Sequence, residues 1–208
     1  MPNANILIPF YSRNGVTEKL ALAVAEGARA AGAEVRLRRV ADIVPHEIMS
    51  KAPGWRENSE RMTKEYGIPN EGDAEWADGI IFGTPTRFGN SSAELKAFID
   101  SLGGLWFQGK LNGKAGSAFC STSTTHGGNE STLISLYNPM CHLGLILVPL
   151  GYADPAMFQA GTPYGASSVS GQSSTPPTDL DLAVARYQGR RVTEVATALR
   201  NARITETK

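Results

Sequence analysis

Between an apolar run that ends at Tyr11 and the start of a helical pattern, Ser12 to Thr17 read SRNGVT, two hydroxyls, an amide and an arginine gathered around one glycine. A strand, a tight turn and a helix N-terminus leave backbone N–H groups unpaired at the positive end of a macrodipole, a setting that suits an anion such as a phosphate. The same residues also suit a plain helix start, with Ser12 and Thr17 as caps and Gly15 as the turn. Two more loops of this kind follow apolar runs: GTPTRFGN, Gly83 to Asn90, and STSTTHGG, Ser121 to Gly128. Other chemistries lack their residues. No Gly-x-Gly-x-x-Gly is present, and no acidic residue ends the second strand, so a tightly held dinucleotide is not expected. Gly104 to Leu111 has the spacing of a phosphate loop, but Leu111 stands where magnesium needs a hydroxyl, and Trp106 and Phe107 would obstruct the backbone nest. There is no Gly-x-Ser-x-Gly elbow, and His46, His126 and His142 have no zinc spacing; no metal is expected.

The elements that must position these loops alternate. The first strand, about Asn5 to Tyr11, is apolar throughout, as a strand covered on both faces is, and Pro9 predicts a bulge or an unpaired position. Leu20, Val24 and Gly27 recur at helical spacing up to a glycine C-cap at Gly32. AEVRLRRV then reads as an edge strand, with Val35, Leu37 and Val40 inward and Arg36, Arg38 and Arg39 toward water or guarding the edge. Residues 41 to 76 are broken by prolines and glycines and predict an irregular insertion with some helix, in which His46, Trp55 and Trp76 are packing or surface residues.

Order returns with a strand at Ile80 to Gly83 and a helix capped by Ser91 or Ser92, its apolar face built from Leu95, Phe98, Ile99 and Leu102 and its end at Gly103-Gly104. A strand from Gly116 to Ser121, a helix from Glu130 to Leu143 with a kink at Pro139, and a fifth strand in LGLILVPL continue the plan. Residues 151 to 178 form a long loop of turn-forming residues, functional or disordered, before a last helix from Asp179 to Ala202. Five strands alternating with helices predict an α/β flavodoxin-like fold over residues 1 to 208, a single doubly wound parallel sheet with helices on both faces. Ligands bind such sheets outside the strand C-termini, where strand order reverses, so the three loops should face one pocket.

With 208 residues, 41% hydrophobic, the chain suits one domain with a full core. Twenty basic residues balance twenty acidic ones without a basic stripe, which argues against a nucleic-acid partner. No apolar stretch has membrane-span length and MPNANILIPF lacks the parts of a signal peptide, so membrane insertion is not expected and a cytoplasmic location is. Cys120 and Cys141 lie in apolar patterns and read as reduced core residues.

What remains is a mononucleotide whose single phosphate sits on the first loop and whose flat ring lies between the other two, a description that FMN meets. GTPTRFGN at Gly83 to Asn90, GGLW at Gly103 to Trp106, GTPYGA at Gly161 to Ala166 and ARYQG at Ala185 to Gly189 resemble the WrbA family of FMN-dependent NAD(P)H:quinone oxidoreductases, historically tryptophan-repressor-binding proteins. The resemblance runs from the first strand to the last helix and is weakest in residues 41 to 76. It implies that Ser12, Arg13, Asn14, Gly15, Val16 and Thr17 hold the FMN phosphate. Pro85, Thr86, Arg87, Phe88, Gly89 and Asn90 would then lie along the isoalloxazine edge, where backbone donors and a positive charge stabilise the reduced ring. Ser121, Thr122, Ser123, Thr124 and Thr125 would contact the ribityl chain and ring. His142 would sit beside the ring near the substrate site, with His142 and Arg87 as catalytic candidates, and Trp106 would wall the substrate site of a neighbouring subunit in a homotetramer. Two departures stand out: Asn14-Gly15-Val16 replaces a segment that carries an aromatic in the family, and STSTTHGGN is one residue longer than the short family version.

The resemblance implies an enzyme that takes a hydride from NADH or NADPH and reduces a quinone by two electrons with ping-pong kinetics. Its rivals are a flavodoxin-like electron carrier, which the neutral charge disfavours because such carriers are usually strongly acidic, and an interaction module of the repressor-binding type.

Overall fold

The computed structural model describes residues 4–206. In chain order the elements are β1 (Asn5–Phe10), α1 (Val16–Ala30), β2 (Glu34–Arg39), α2 (His46–Met49), α3 (Trp55–Tyr66), α4 (Glu71–Trp76), β3 (Gly79–Pro85), α5 (Ala93–Ser101), α6 (Gly103–Phe107), β4 (Ala115–Thr122), α7 (Asn129–His142), β5 (Ile146–Leu147), α8 (Met157–Ala160), β6 (Ser167–Val169) and α9 (Asp179–Glu206). The strands pair in the order β2-β1-β3-β4-β5, all parallel, and β6 also pairs with β4. Strand order reverses between β1 and β3, which fixes where a ligand cleft belongs.

Alternation along β1 divides the core. Ile6, Ile8 and Phe10 pack with Leu20 and Val24 of α1 and Val184 and Val192 of α9, whereas Leu7 and Tyr11 pack on the other face with Leu95, Phe98, Leu133 and Leu136 of α5 and α7. α1 and α9 approach backbone to backbone: a Cβ on Gly27 would lie 1.9 Å from the Arg186 carbonyl, and one on Gly189 would lie 2.0 Å from that of Val24. The glycine of ARYQG is therefore a packing residue. Gln188 beside it is fully buried, donates to Ser117 Oγ and the Ala118 carbonyl, and accepts the Ala166 N–H.

Gln188 thereby pins a strand that is in two pieces. The expected fifth strand is paired only at Ile146–Leu147, against Ala115 and Gly116; the chain then leaves the sheet and returns as β6, against Cys120 to Thr122. β5 and β6 occupy successive stretches of the same β4 edge, and the excursion between them delivers residues 170 to 178 to the sheet's C-terminal rim. The expected long loop thus carries a strand.

Other expectations change in detail. Of the two alternatives at Pro9, the chain takes the unpaired position and not a bulge: β1 keeps a constant offset to β3 at Ile6, Leu7 and Phe10, and the ladder skips Ile8 and Pro9. α7 continues through Pro139 to His142. Gly32, with φ 86°, follows the C-terminus of α1, and Ser92 rather than Ser91 caps α5 by accepting the Leu95 N–H. Cys120 is buried but Cys141 is exposed, because it falls on the outer side of α7, and is not a core residue. Arg39 does not reach water either; it is fully buried. Residues 41 to 76 carry the expected helix, as three pieces, α2, α3 and α4, that take up more of the insertion than its irregular sequence suggests.

Candidate functional site

The loops after β1, β3, β4 and β6 enclose a cleft of about 210 Å³ at the switch point. Ser12, Arg13, Asn14, Val16 and Thr17 line one side, Pro85, Thr86 and Arg87 another, and Ser121, Thr122, Ser123, Ser170 and Ser174 the remainder. Its lining is dominated by hydroxyls and amide groups and has no carboxylate.

The first loop is shaped by its own side chains. Gly15 has φ 87°, a left-handed conformation open to glycine, and α1 starts from it without a side-chain cap. Ser12 Oγ accepts the Gly15 N–H at 3.1 Å, and Thr17 Oγ1 meets Ser121 Oγ at 2.9 Å, joining the first loop to the end of β4. Neither hydroxyl caps the helix as the plainer sequence reading has it. Among the described residues, the backbone N–H groups of Arg13, Asn14, Val16 and Thr17 find no acceptor in the chain. Those of Val16 and Thr17 are orphan donors of the helix start, those of Arg13 and Asn14 belong to the loop before it, and all four residues line the cleft.

The turn after β3 is fixed from within. Arg87 and Asn90 exchange backbone hydrogen bonds at 2.8 and 3.0 Å, Thr86 N–H donates to the Ser121 carbonyl at 2.8 Å, and Gly89 N–H donates to Thr86 Oγ1. Thr86 Oγ1 also meets Thr132 Oγ1 of α7 at 2.8 Å. Backbone donors expected for a ring edge are thus mostly used inside the turn; among the described residues of the stretch Thr86 to Asn90, the Phe88 N–H is the one left without an acceptor. Phe88 is fully exposed with φ 54°, and its ring, Gly89 and Asn90 do not line the cleft.

Of the third loop, Ser121, Thr122 and Ser123 face the cleft, whereas Thr124 and Thr125 lie outside it and are exposed. Thr122 Oγ1 donates to the Thr124 carbonyl and turns the chain away from the cleft there. Ser170 and Ser174 are cleft residues that no motif marked. Ser170 N–H and Oγ both donate to the Thr122 carbonyl, at 2.7 and 3.0 Å, and Asn14 Nδ2 donates to Ser174 Oγ at 2.9 Å. Their sequence signal is the serine-rich run SSVSGQSS in the long loop.

His142 is not brought to this cleft. α7 leads away from the rim, so His142 lies near the start of β4, where Met140 and Leu145 pack on Gly116. It shares a second cleft, of about 200 Å³, with Ile99, Gly103, Trp106, Pro139 and Leu143. Trp106 is 54% exposed and Phe107 beside it 85%, and GGLWF forms α6 rather than a phosphate-binding loop.

Beneath the first loop lies a buried ionic network. Arg39 donates to Asp42 Oδ2 at 2.6 Å and to the Ser12 carbonyl at 3.3 Å. Asp42 also accepts from Tyr11 Oη, Trp55 Nε1 and Ser59 Oγ, so this carboxylate, just beyond β2, is spent on structure. Burial alone would raise its pKa, but hydrogen bonds from Ser59, Tyr11 and Arg39 outweigh it and hold the carboxyl below its ordinary value. Glu18, in the first turn of α1, is likewise lowered: burial opposes ionisation, and bonds from Arg61 and Tyr66 overcome it. Burial pushes the Cys120 thiol well above its usual range, so it is not poised as a thiolate. Among the described residues no group of three or more side chains is arranged to hold a metal ion, and no helix is long and apolar enough to cross a membrane.

A family profile described as NADPH-dependent FMN reductase matches residues 10–156. The chain is 43% identical over 202 residues to a protein named NAD(P)H dehydrogenase (quinone) from Paraburkholderia phymatum, covering 94% of this chain and 98% of the relative. It is 44% identical over 203 residues to one of the same name from Methylocella silvestris, with 95% and 99% covered. Among solved structures, a flavodoxin, WrbA-like protein from Agrobacterium tumefaciens superposes with TM-score 0.66 at 27% identity, covering 94% of this chain and 98% of that one. RosB with a bound riboflavin-5'-phosphate derivative superposes with TM-score 0.62 at 15% identity, covering 95% and 81%, a likeness of fold alone.

Proposed function

The chain belongs to the NADPH-dependent FMN reductase family, and from that premise we propose that it is an FMN-dependent NAD(P)H dehydrogenase (quinone), which moves a hydride from NADH or NADPH and reduces a quinone to its hydroquinone. The observation that carries this reading is the set of unaccepted N–H groups at Arg13, Asn14, Val16 and Thr17, lining a cleft that also gathers the loops after β3 and β4.

The donor set fits FMN. Unpaired N–H groups, the Arg13 guanidinium and the start of α1 suit a phosphate dianion. Ser121, Thr122, Ser123 and Ser170 suit a polyol chain, and the ledge of Pro85, Thr86 and Arg87 suits one edge of a planar ring. Bound there, FMN supplies the two-electron chemistry that no side chain of the cleft has. The residues supply position and charge. Backbone bonds within the turn from Thr86 to Asn90 fix its shape, so Thr86 and Arg87 would be held at the edge of a bound ring, where the Arg87 cation would favour a reduced, anionic flavin. The cleft has no buried acid or histidine, so proton delivery to the product is left to solvent or to a neighbouring copy.

Protein loaded with FMN should oxidise NADH or NADPH on addition of benzoquinone. Absence of oxidation with both donors overturns the assignment.

A homotetramer completes the proposal. Trp106 and His142 share a cleft far from this chain's own rim, so the roles the family resemblance gives them require another copy's site. Trp106→Ala should leave FMN affinity unchanged and raise the KM for quinone in an assembly that sediments as a tetramer; a fully active monomer contradicts this.

A further inference from the structure

Residues 41 to 76 have no part in the cleft, yet they hold one of its walls. Asp42 ties α3 to the end of β1 by accepting both Trp55 Nε1 and Tyr11 Oη, at 2.8 and 2.7 Å. Arg39, which donates to the same carboxylate, also donates to the Ser12 carbonyl, so the insertion and the first loop are fastened to one buried ion pair. Trp55 is thereby fixed at its ring nitrogen, and its exposure is only 8%. The group across its ring is the Arg13 guanidinium, whose Cζ lies 3.9 Å from the ring centroid.

That stack has a chemical consequence. A guanidinium lying on an aromatic face keeps its N–H donors directed outward in its own plane, where two of them match two oxygens of a phosphate. Of the other arginines near the first loop, Arg39 is spent on Asp42 and Arg61 on Glu18 at 2.7 Å, and Arg87 lines the cleft from the turn after β3. Arg13 lines the cleft, and among the described residues its guanidinium has no carboxylate and no hydrogen-bond acceptor. A phosphate monoester carries a charge of about −1.5 to −2 at pH 7, with a second pKa of about 6. Neutral N–H groups answer part of that charge, and a fixed guanidinium answers the rest.

We infer that Arg13 is the charged contact to the FMN phosphate and that Trp55, from the insertion, is the positioning residue that holds its guanidinium over the first loop. This rests on the FMN reading above and adds to it a selectivity device: the chain separates FMN from riboflavin by one stacked arginine. It also gives the helical insertion a function, which is to supply the aromatic face.

The test compares dissociation constants for FMN and for riboflavin, by flavin fluorescence, in the wild type, Arg13→Ala, Trp55→Leu and Trp55→Phe, from about pH 5 to about pH 8, across the second phosphate ionisation. Wild-type affinity for FMN should rise as the pH passes that ionisation, and affinity for riboflavin should not. Arg13→Ala should weaken FMN by about tenfold to a hundredfold, the range for a charge-assisted hydrogen bond, leave riboflavin unchanged and flatten the pH dependence. Trp55→Leu should shift the FMN-to-riboflavin ratio in the same direction, and Trp55→Phe, which keeps a smaller ring face and loses the bond to Asp42, should restore most of it.

Equal losses for both flavins in Arg13→Ala, or an unchanged FMN affinity, overturn the inference. A Trp55→Phe variant as impaired as Trp55→Leu makes Trp55 structural only. An effect of Arg13→Ala confined to the KM for NADPH places the guanidinium on the nucleotide donor instead. Wild-type protein that binds neither flavin removes the FMN reading itself.

Discussion

Ser12 offers a hydroxyl to an anion in the sequence, but in the folded chain its Oγ already holds the Gly15 N–H, and Thr17 Oγ1 is joined to Ser121. Their alanine variants therefore act on the shape of the loop as well as on a ligand. Ser12→Ala should lower stability by about 1 kcal/mol, the usual worth of one hydrogen bond, and weaken FMN binding as well; a melting curve and a flavin titration read the two effects separately. The buried carboxylates give a second expectation. Folding lowers the pKa of Asp42 and Glu18, so their ionised forms stabilise the fold above the ordinary values of about 3.9 for Asp and about 4.3 for Glu. That stabilisation is lost as the pH falls through the lower folded-state values. Thermal melts should drop in acid, and Glu18→Gln should flatten that drop. Asp42→Asn should cost about 3–5 kcal/mol at neutral pH, because it leaves the buried Arg39 cation unpaired. Arg39 also shows where sequence reading fails at this scale: three arginines in one edge strand look alike, and only Asp42, three residues on, makes one of them an interior residue.

Among the elements, α1 and α9 depend on two glycines. Gly189→Ala gains about 1 kcal/mol of helix propensity, but the new Cβ would sit 2.0 Å from a backbone carbonyl that cannot swing aside. Overpacking of that kind costs about 1–3 kcal/mol, so the variant should melt lower than the wild type; an equal or higher melting temperature would show that the helices can separate. The alternation of strands and helices, the edge position of β2 and a cap at Ser91 or Ser92 were all legible, because each follows from local periodicity or from a capping residue. The divided last strand was not. LGLILVPL is apolar along its whole length, and what restricts its pairing to Ile146–Leu147 is distant: Gln188 of α9 holds the Ala166 N–H and brings β6 to the upper part of β4. Ser170 and Ser174 reach the cleft as a result, and no pattern local to them says so. The extent of helix in residues 41 to 76 was hidden for another reason. α3, WRENSERMTKEY, buries chiefly Trp55 and Met62, so its apolar face is too sparse for a clear periodic signal.

For the whole molecule, the first strand, the switch point and the four rim loops place one polar cleft where a doubly wound sheet binds ligands, and the cleft supplies positioned donors but no group that itself carries electrons. Trp106 and His142 share a second cleft away from that rim, which is why the proposed function gives them to another copy's site. The most direct test of the central claim is the absorbance of the FMN-loaded protein, free of oxygen, as NADH or NADPH is added and then benzoquinone. The flavin band should bleach with the nicotinamide and return in full with a stoichiometric amount of quinone. A band that either donor leaves unchanged, or that bleaches and does not return with quinone, would contradict the account.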